Sequence, residues 1–515
     1  MMESNRRIIL ACTALFLVIA LPLQGTTPKE LFQKKLGNVS AEKKLQLIEK
    51  ELASPDADSD DWKAFLYNLK GTVYSGLGNT GDAVKCYNDA LKYNSSIAYV
   101  YNNRAIEYKK QRDFDNAFRD YGKAIAINPR FSVAYYNRGL VFYAMGDYPR
   151  AIEDYSRAIQ FSKGFADAYN NRGVVYHLQR EYEKAIEDYT RALEINPSFQ
   201  RVINNRELAY SQAIDSYSRA IKDNPEDEAL YIKRGKAYKA RGMFDQAILD
   251  FNKAITFNPE CSLAYPYRGS TYSEKGDTSR AIKDFNRSIE CNPDDYLAFY
   301  YRGNLYSDRR EYPRAVSDYG KALVLKPDLA DAYNNRGVVF ANLGKLPRAI
   351  SDFNMSIRLR PNYAIAYNNR GVAHLKKGFP KKAIRDFNRA VRMDNDYYSA
   401  FFNRGNAHKD LKLYGKALRD YTRAIAINPS FSIAYNNRGL VYYYIKDYKN
   451  AVRNFTQAIR YDARLAIAYN NRGAVYSRLR RYDSAVRDFR KALALDPNMK
   501  SARKNIRLVA QRRQR

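Results

Sequence analysis

The string AYNNRG, from Ala168 to Gly173, recurs with its last residue at Gly337, Gly371, Gly439 and Gly473. Looser versions fill the intervals. The anchor position falls at Gly71, Ala105, Gly139, Gly173, Glu207, Gly235, Gly269, Gly303, Gly337, Gly371, Gly405, Gly439 and Gly473. Every step is 34 residues except the 28 between Glu207 and Gly235. A chain of 515 residues is too long for one compact core, and a fixed period of this kind requires supersecondary units that stack on their neighbours. The period also accounts for 46 tyrosines beside one tryptophan, because each copy keeps the same aromatic positions.

With the anchor counted as position 8, the fourth copy carries Tyr169 at 4, Gly173 at 8, Tyr176 at 11, Ala185 at 20, Tyr189 at 24, Ala192 at 27 and Pro197 at 32. In this pattern residues 64–499 resemble the tetratricopeptide family. The resemblance implies an all-α superhelix, a solenoid of about 13 helical hairpins. Gly173 and Ala185 would let two helices approach closely while Tyr169, Tyr176 and Tyr189 fill the space around the contact. Pro197 would stop the second helix.

The chain departs from the family at position 7, where a leucine is usual. Here Arg104, Arg138, Arg172, Arg206, Arg234 and their later equivalents stand, with Lys70 in the first copy. Ten of the thirteen copies carry Asp at position 23. The fixed spacing predicts an internal ladder, Arg172 with Asp188 and Arg370 with Asp386, rather than a binding surface. The short fifth copy lacks six residues between Tyr210 and Ala213, where its turn belongs. Ile203, Tyr210, Ile214, Tyr217 and Ile221 then form one helical stripe, which predicts a fused helix over about 201–222 that splits the array.

Outside the repeats, residues 1–25 read as a signal peptide or signal anchor. Arg6 and Arg7 precede an apolar run from Ile8 to Leu21, and the solenoid is expected to be exported to a periplasm, cell envelope or secretory lumen. Residues 26–63 are expected to be a cap or linker, 64–199 copies 1–4, 200–227 the short copy, 228–499 copies 6–13, and 500–515 a basic capping helix. Beyond the leader there are three cysteines, Cys86, Cys261 and Cys291, too few for a disulfide scaffold. Antiparallel packing could bring Cys261 and Cys291 near each other in an oxidising compartment, and the sequence leaves open whether they bond, which a Cα separation above about 7 Å would forbid.

Catalysis finds little to work with. The three histidines are His177, His374 and His408, and the last two occupy the tyrosine slot at position 11, where a packed core histidine is the expectation. No HExxH, GxSxG, GxxxxGK[ST] or CxxC occurs, and fewer than 20 residues follow the last copy. The reading is of a protein without enzymatic activity, metal, cofactor or small-molecule substrate.

Two surfaces are candidates for binding. Position 6 is asparagine at Asn103, Asn137, Asn171 and Asn205, and again at Asn335, Asn369, Asn403, Asn437 and Asn471; Lys233, Tyr267 and Tyr301 interrupt the series. The resemblance implies that position 6 lies on the concave face. A side-chain amide there can donate to and accept from a peptide backbone, giving a groove for extended protein segments. The alternative use of these asparagines is hydrogen bonding between repeats. Tyr136, Tyr300, Phe402, Tyr443 and Tyr444 are neighbouring aromatic candidates. The clamp by which chaperone adaptors of this family hold a C-terminal carboxylate needs Lys at position 5, and no copy has one.

The second surface is electrostatic. The net charge is +32, residues 396–515 hold 26 Lys and Arg against 8 Asp, and glutamate is missing after Glu311. Arg480, Arg481, Arg503, Lys504, Arg507, Arg512 and Arg513 would present a basic face to an acidic polymer or anionic membrane. Export and the lack of aromatics among the terminal arginines argue against nucleic acid.

Overall fold

The computed structural model describes residues 28–513 apart from 38, 56–58 and 261. The leader motif and Cys261, with its pairing to Cys291, lie outside the described residues. Among those described, the regular structure is 28 helices and no strands.

Hairpin 4 illustrates how the repeat folds. Ala166–Leu178 runs out, the chain reverses through Arg180, and Tyr182–Ile195 runs back to end at Asn196, immediately before Pro197. The reversal needs a left-handed residue at position 15: Arg180 has φ 62°, whereas hairpin 3 meets the same demand with Gly146 at φ 79°. Ala185, Tyr189 and Ala192 are buried where the helices meet. A Cβ on Gly173 would lie 2.8 Å from Tyr189 Cε1, so the small residue at position 8 is what admits the ring at position 24.

By its packing the chain divides into two units, residues 1–216 and 217–515. The first contains the helices Pro28–Leu36 and Ala41–Leu52 followed by hairpins 1–4. Phe32, Leu36 and Ile48 cover the apolar side of hairpin 1 through Phe65, Leu66 and Leu69. The second contains hairpins 6–13 and then the helix Lys500–Arg513, whose Val509 packs on Ala485 and Phe489. In each unit an end hairpin therefore has its apolar side closed by further helix.

The 28-residue step is one uninterrupted helix of 24 residues, Gln200–Asp223, and the division between the units falls within it. Its Val202 and Ala209 pack with the second helix of hairpin 4, and its Ile221 packs with hairpin 6. With no turn, the fifth copy has no second helix to supply an acid. The Nε of Arg206 is buried there without an acceptor among the described residues.

Candidate functional site

The arginines at position 7 are framework. Arg172 donates from Nε and Nη2 to the two carboxylate oxygens of Asp188 at 2.8 and 2.7 Å. Its Nη1 reaches back 2.9 Å to Ser156 on the preceding hairpin. Arg370 does the same with Asp386 and Asn354. All ten copies with Asp at position 23 make the pair. Each arginine that also reaches back thus ties two helices of its own hairpin to a third. The carboxylate of Asp352 holds Arg336 above the ordinary guanidinium range, the direction expected of an ionised, hydrogen-bonded pair.

The asparagines at position 6 form a second row. Asn103 donates to Asn68 at 3.1 Å, Asn137 to Asn102 at 3.1 Å and Asn205 to Asn170 at 3.0 Å. Asn369 donates to Asn334 and Asn403 to Asn368, each at 3.0 Å, and Asn471 donates to Asn436 at 2.9 Å. The acceptor is position 5 of the preceding hairpin. Position 5 in turn donates to its own neighbour, as from Asn170 to Asn171 at 2.9 Å. The amides therefore link successive first helices into one row over copies 1–5 and another over copies 8–13, the use that the sequence left as an alternative to ligand contact.

Position 5, considered in the sequence for a clamp lysine and for the aromatic candidates Tyr136, Tyr300 and Phe402, supplies the acceptors of this row. Where it is aromatic the row adapts. Asn171 donates to the Tyr136 hydroxyl at 3.0 Å, and Asn335 to the Tyr300 hydroxyl at 3.3 Å and to Asn304 at 3.0 Å. Phe402 has no acceptor, so Asn437 turns to Asn406 at 2.9 Å. The signal was present in the sequence: Asn304 and Asn406 stand at position 9 in hairpins whose position 5 is Tyr300 or Phe402.

The row leaves capacity for a ligand. Each position-6 amide has two N–H groups and two acceptor lone pairs, and the ladder uses only part of them. These side chains are partly exposed, apart from the buried Asn137. Exposed aliphatic residues lie on the same helical face, four residues before the amide at position 2: Ile365, Ile433 and Ile467, at 45, 45 and 41 % exposure. Val372 and Leu440 follow three residues after it. In hairpin 12 the line Ile433, Asn437, Leu440, Tyr444 ends on a tyrosine that is 51 % exposed.

Hairpins 6–8 present a different face. Lys233 and Lys236 are exposed there. Tyr267 stacks on Phe251 of the preceding hairpin at 6.1 Å, Tyr301 on Phe285 at 5.9 Å, and the Lys236 ammonium lies 5.0 Å from the Tyr267 ring. Of the basic candidates, Arg503, Lys504, Arg507 and Arg512 are exposed on the terminal helix, while Arg480 and Arg481 are exposed in the turn of hairpin 13. The side chain of Arg513 lies outside those described. His408 is buried and hydrogen-bonded to Asp420 at 2.8 Å, and His177 pairs with Gln212 at 2.9 Å. Among the described residues no group of three His, Cys, Asp or Glu side chains is placed to hold a metal, and no helix is long and apolar enough to cross a membrane.

Family models described as tetratricopeptide repeat match residues 98–131, 166–199, 330–363, 398–431 and 466–499, and a further such model matches 66–97, 229–261, 268–295, 364–397 and 433–464. Related repeat models cover 121–153, 140–180, 285–317 and 303–344. The chain belongs to the tetratricopeptide repeat family. No curated relative matches its sequence. Among solved structures, the APC/C hetero-tetramer Cut9–Hcn1 matches at 16 % identity over 94 % of this chain and 96 % of that one, with a TM-score of 0.42. A tetratricopeptide repeat protein from Parabacteroides merdae matches at 19 % over 48 and 97 %, TM-score 0.41. YrrB, titled a TPR protein with an unusual peptide-binding site, matches at 25 % over 36 and 96 %, TM-score 0.32. At these TM-scores the family assignment rests on the repeat models. Tetratricopeptide repeats support a role as a protein–protein interaction scaffold.

Proposed function

We propose that this tetratricopeptide repeat protein binds extended protein segments along the first-helix face of hairpins 9–13, at Asn335, Asn369, Asn403, Asn437 and Asn471. The observation that carries the reading is the coincidence on one face of a pre-ordered amide row and the exposed Ile365, Ile433 and Ile467. Fixing the amides through the ladder reduces the ordering cost that binding would otherwise incur. Each amide–backbone hydrogen bond is worth about 0.5–1.5 kcal/mol net, so the aliphatic contacts must supply the rest. Packed helices lie about 8–10 Å apart and an extended chain advances about 3.3 Å per residue, so roughly three ligand residues would pass each hairpin. The apolar leader flanked by Arg6 and Arg7 supports placing this activity in an exported compartment.

Selection of displayed random peptides on the full chain tests this, at low and at high salt. Peptides rich in aliphatic residues should bind in both conditions. They should be lost when the five asparagines are changed to alanine, and also when Ile365, Ile433 and Ile467 are changed to serine with the ladder intact. Peptides that bind both variants as they bind the parent would sink the reading. A second reading, supported by the exposed Arg503, Lys504, Arg507 and Arg512, is binding of an acidic polymer or anionic membrane. In that case binding should ignore both variants and disappear at high salt.

A further inference from the structure

The outer side of the second helices changes along the second unit. Position 22 is Leu249, Lys283, Ser317 and Ser351 in hairpins 6–9, then Arg385, Arg419, Arg453 and Arg487 in hairpins 10–13. All four arginines are exposed. Arg385, Arg419 and Arg453 have no ion-pair or hydrogen-bond partner among the described residues. Next to them in sequence lie the position-23 acids, and in hairpins 10, 11 and 13 each of these neutralises its own arginine.

Hairpin 12 breaks that row. Position 23 is Asn454, and Arg438 donates from Nε to its Oδ1 at 2.7 Å and from Nη1 to Thr422 Oγ1 at 3.0 Å. Asn454 Nδ2 is turned to the Asn450 carbonyl at 2.8 Å, and nothing among the described residues accepts from Nη2 of Arg438. Burial without a carboxylate lowers Arg438 below the ordinary guanidinium range, opposite to Arg336 and Arg472. Thr422 also lines an open recess of about 400 Å³, with Leu418, Arg419, Arg423 and Ala426. Of its arginines, Arg423 has an acid within reach, Asp396 at 3.4 Å.

We propose that the surface beside this recess, from Arg419 across Thr422 to Arg438 and Arg453, docks an acidic protein segment, with a partner carboxylate accepting from Arg438 and its neighbours meeting Arg419 and Arg453. A carboxylate is the group that the position-7 arginine takes in ten other hairpins, and here the chain itself does not provide it. The site shares no residue with the basic terminal helix and does not depend on the amide groove.

The test is binding of a labelled peptide of alternating Glu and Gly to the full chain, with inorganic polyphosphate as comparator. Asn454→Asp exchanges the amide nitrogen for a carboxylate oxygen and restores the internal pair. It should leave the fold intact and weaken the peptide about tenfold. Ser351→Asp makes the same change of charge away from the recess and should weaken it less than about twofold. Arg453→Gln should weaken it several-fold, and the fivefold asparagine-to-alanine variant should bind it as the parent does. Equal effects of Asn454→Asp and Ser351→Asp would overturn the site. Polyphosphate binding without peptide binding would overturn the partner class.

Discussion

Hairpins 6–8 and hairpins 9–11 share one framework and differ on the face they present. In both groups the position-7 arginine grips its acid, Arg268 with Asp284 at 2.7 Å and Arg370 with Asp386 at 2.6 Å. In both, an aromatic ring at position 24 lies under a glycine. On the first-helix face, however, Tyr267 and Tyr301 stack on rings, while Asn369 and Asn403 join an amide row. Framework and face are separable where the face is the amide row. The framework is set by contacts within a hairpin and to the second helix before it, and the row by contacts between first helices; at Tyr267 and Tyr301 the face rests on the framework rings Phe251 and Phe285. Variants that respect this division should alter one without the other.

The largest effect is expected on the framework. Asp386→Ala leaves Arg370 without its carboxylate and should destabilise hairpin 10 by about 3 kcal/mol, read as hydrogen exchange local to that hairpin. Asp284→Ala should cost hairpin 7 a similar amount, and a difference of several-fold between the two would break the claim of a common framework. Next comes the glycine contact. Gly371→Ala places a Cβ 2.6 Å from Phe387 Cε1, and Gly303→Ala places one 3.0 Å from the Tyr319 ring. The first should cost about 2 kcal/mol and the second about 1 kcal/mol. Denaturant midpoints in the reverse order would show that the ring, rather than the gap, sets the cost.

Smaller effects sharpen the comparison. Asn369→Ala removes one rung and should cost about 1 kcal/mol without disturbing exchange in hairpins 6–8. Lys412→Gly relieves a left-handed residue at φ 58° and should stabilise hairpin 11 by about 0.5–1 kcal/mol, measurable as a higher unfolding midpoint. The smallest effect is on pH dependence. Burial lowers His374 below the ordinary histidine value of about 6.5, against the attraction of Asp386 at 3.9 Å and with Arg370, Lys382 and Lys377 also lowering it. The unfolded chain then binds the proton more readily than the folded one. The contribution of neutral His374 is complete above that value and is lost as pH falls through the folded pKa. His374→Tyr, which installs the residue usual at this position, should flatten stability below about pH 6.5. An unchanged slope would place the acid sensitivity elsewhere.

Much of this was legible in the sequence because it repeats at fixed separations along the chain. A 34-residue period with Gly at 8, a ring at 24 and Pro at 32 dictates the hairpins. An arginine and an acid 16 residues apart are brought together by a single turn, so their pairing follows once the hairpin is known. The loss of six residues where a turn belongs likewise dictates the continuous helix Gln200–Asp223. The destination of the position-6 amides was decided only by tertiary structure. Their acceptors lie 35 residues back, or 31 at Asn304 and Asn406, across a contact between first helices of different hairpins. The same holds for Arg438, whose missing acid is visible in the sequence at Asn454 but whose second anchor, Thr422, belongs to the hairpin before. Local spacing determines which helices form and which pair. How successive pairs rotate against each other determines which side chains meet between them, and that rotation is a property of the packed stack rather than of any one repeat.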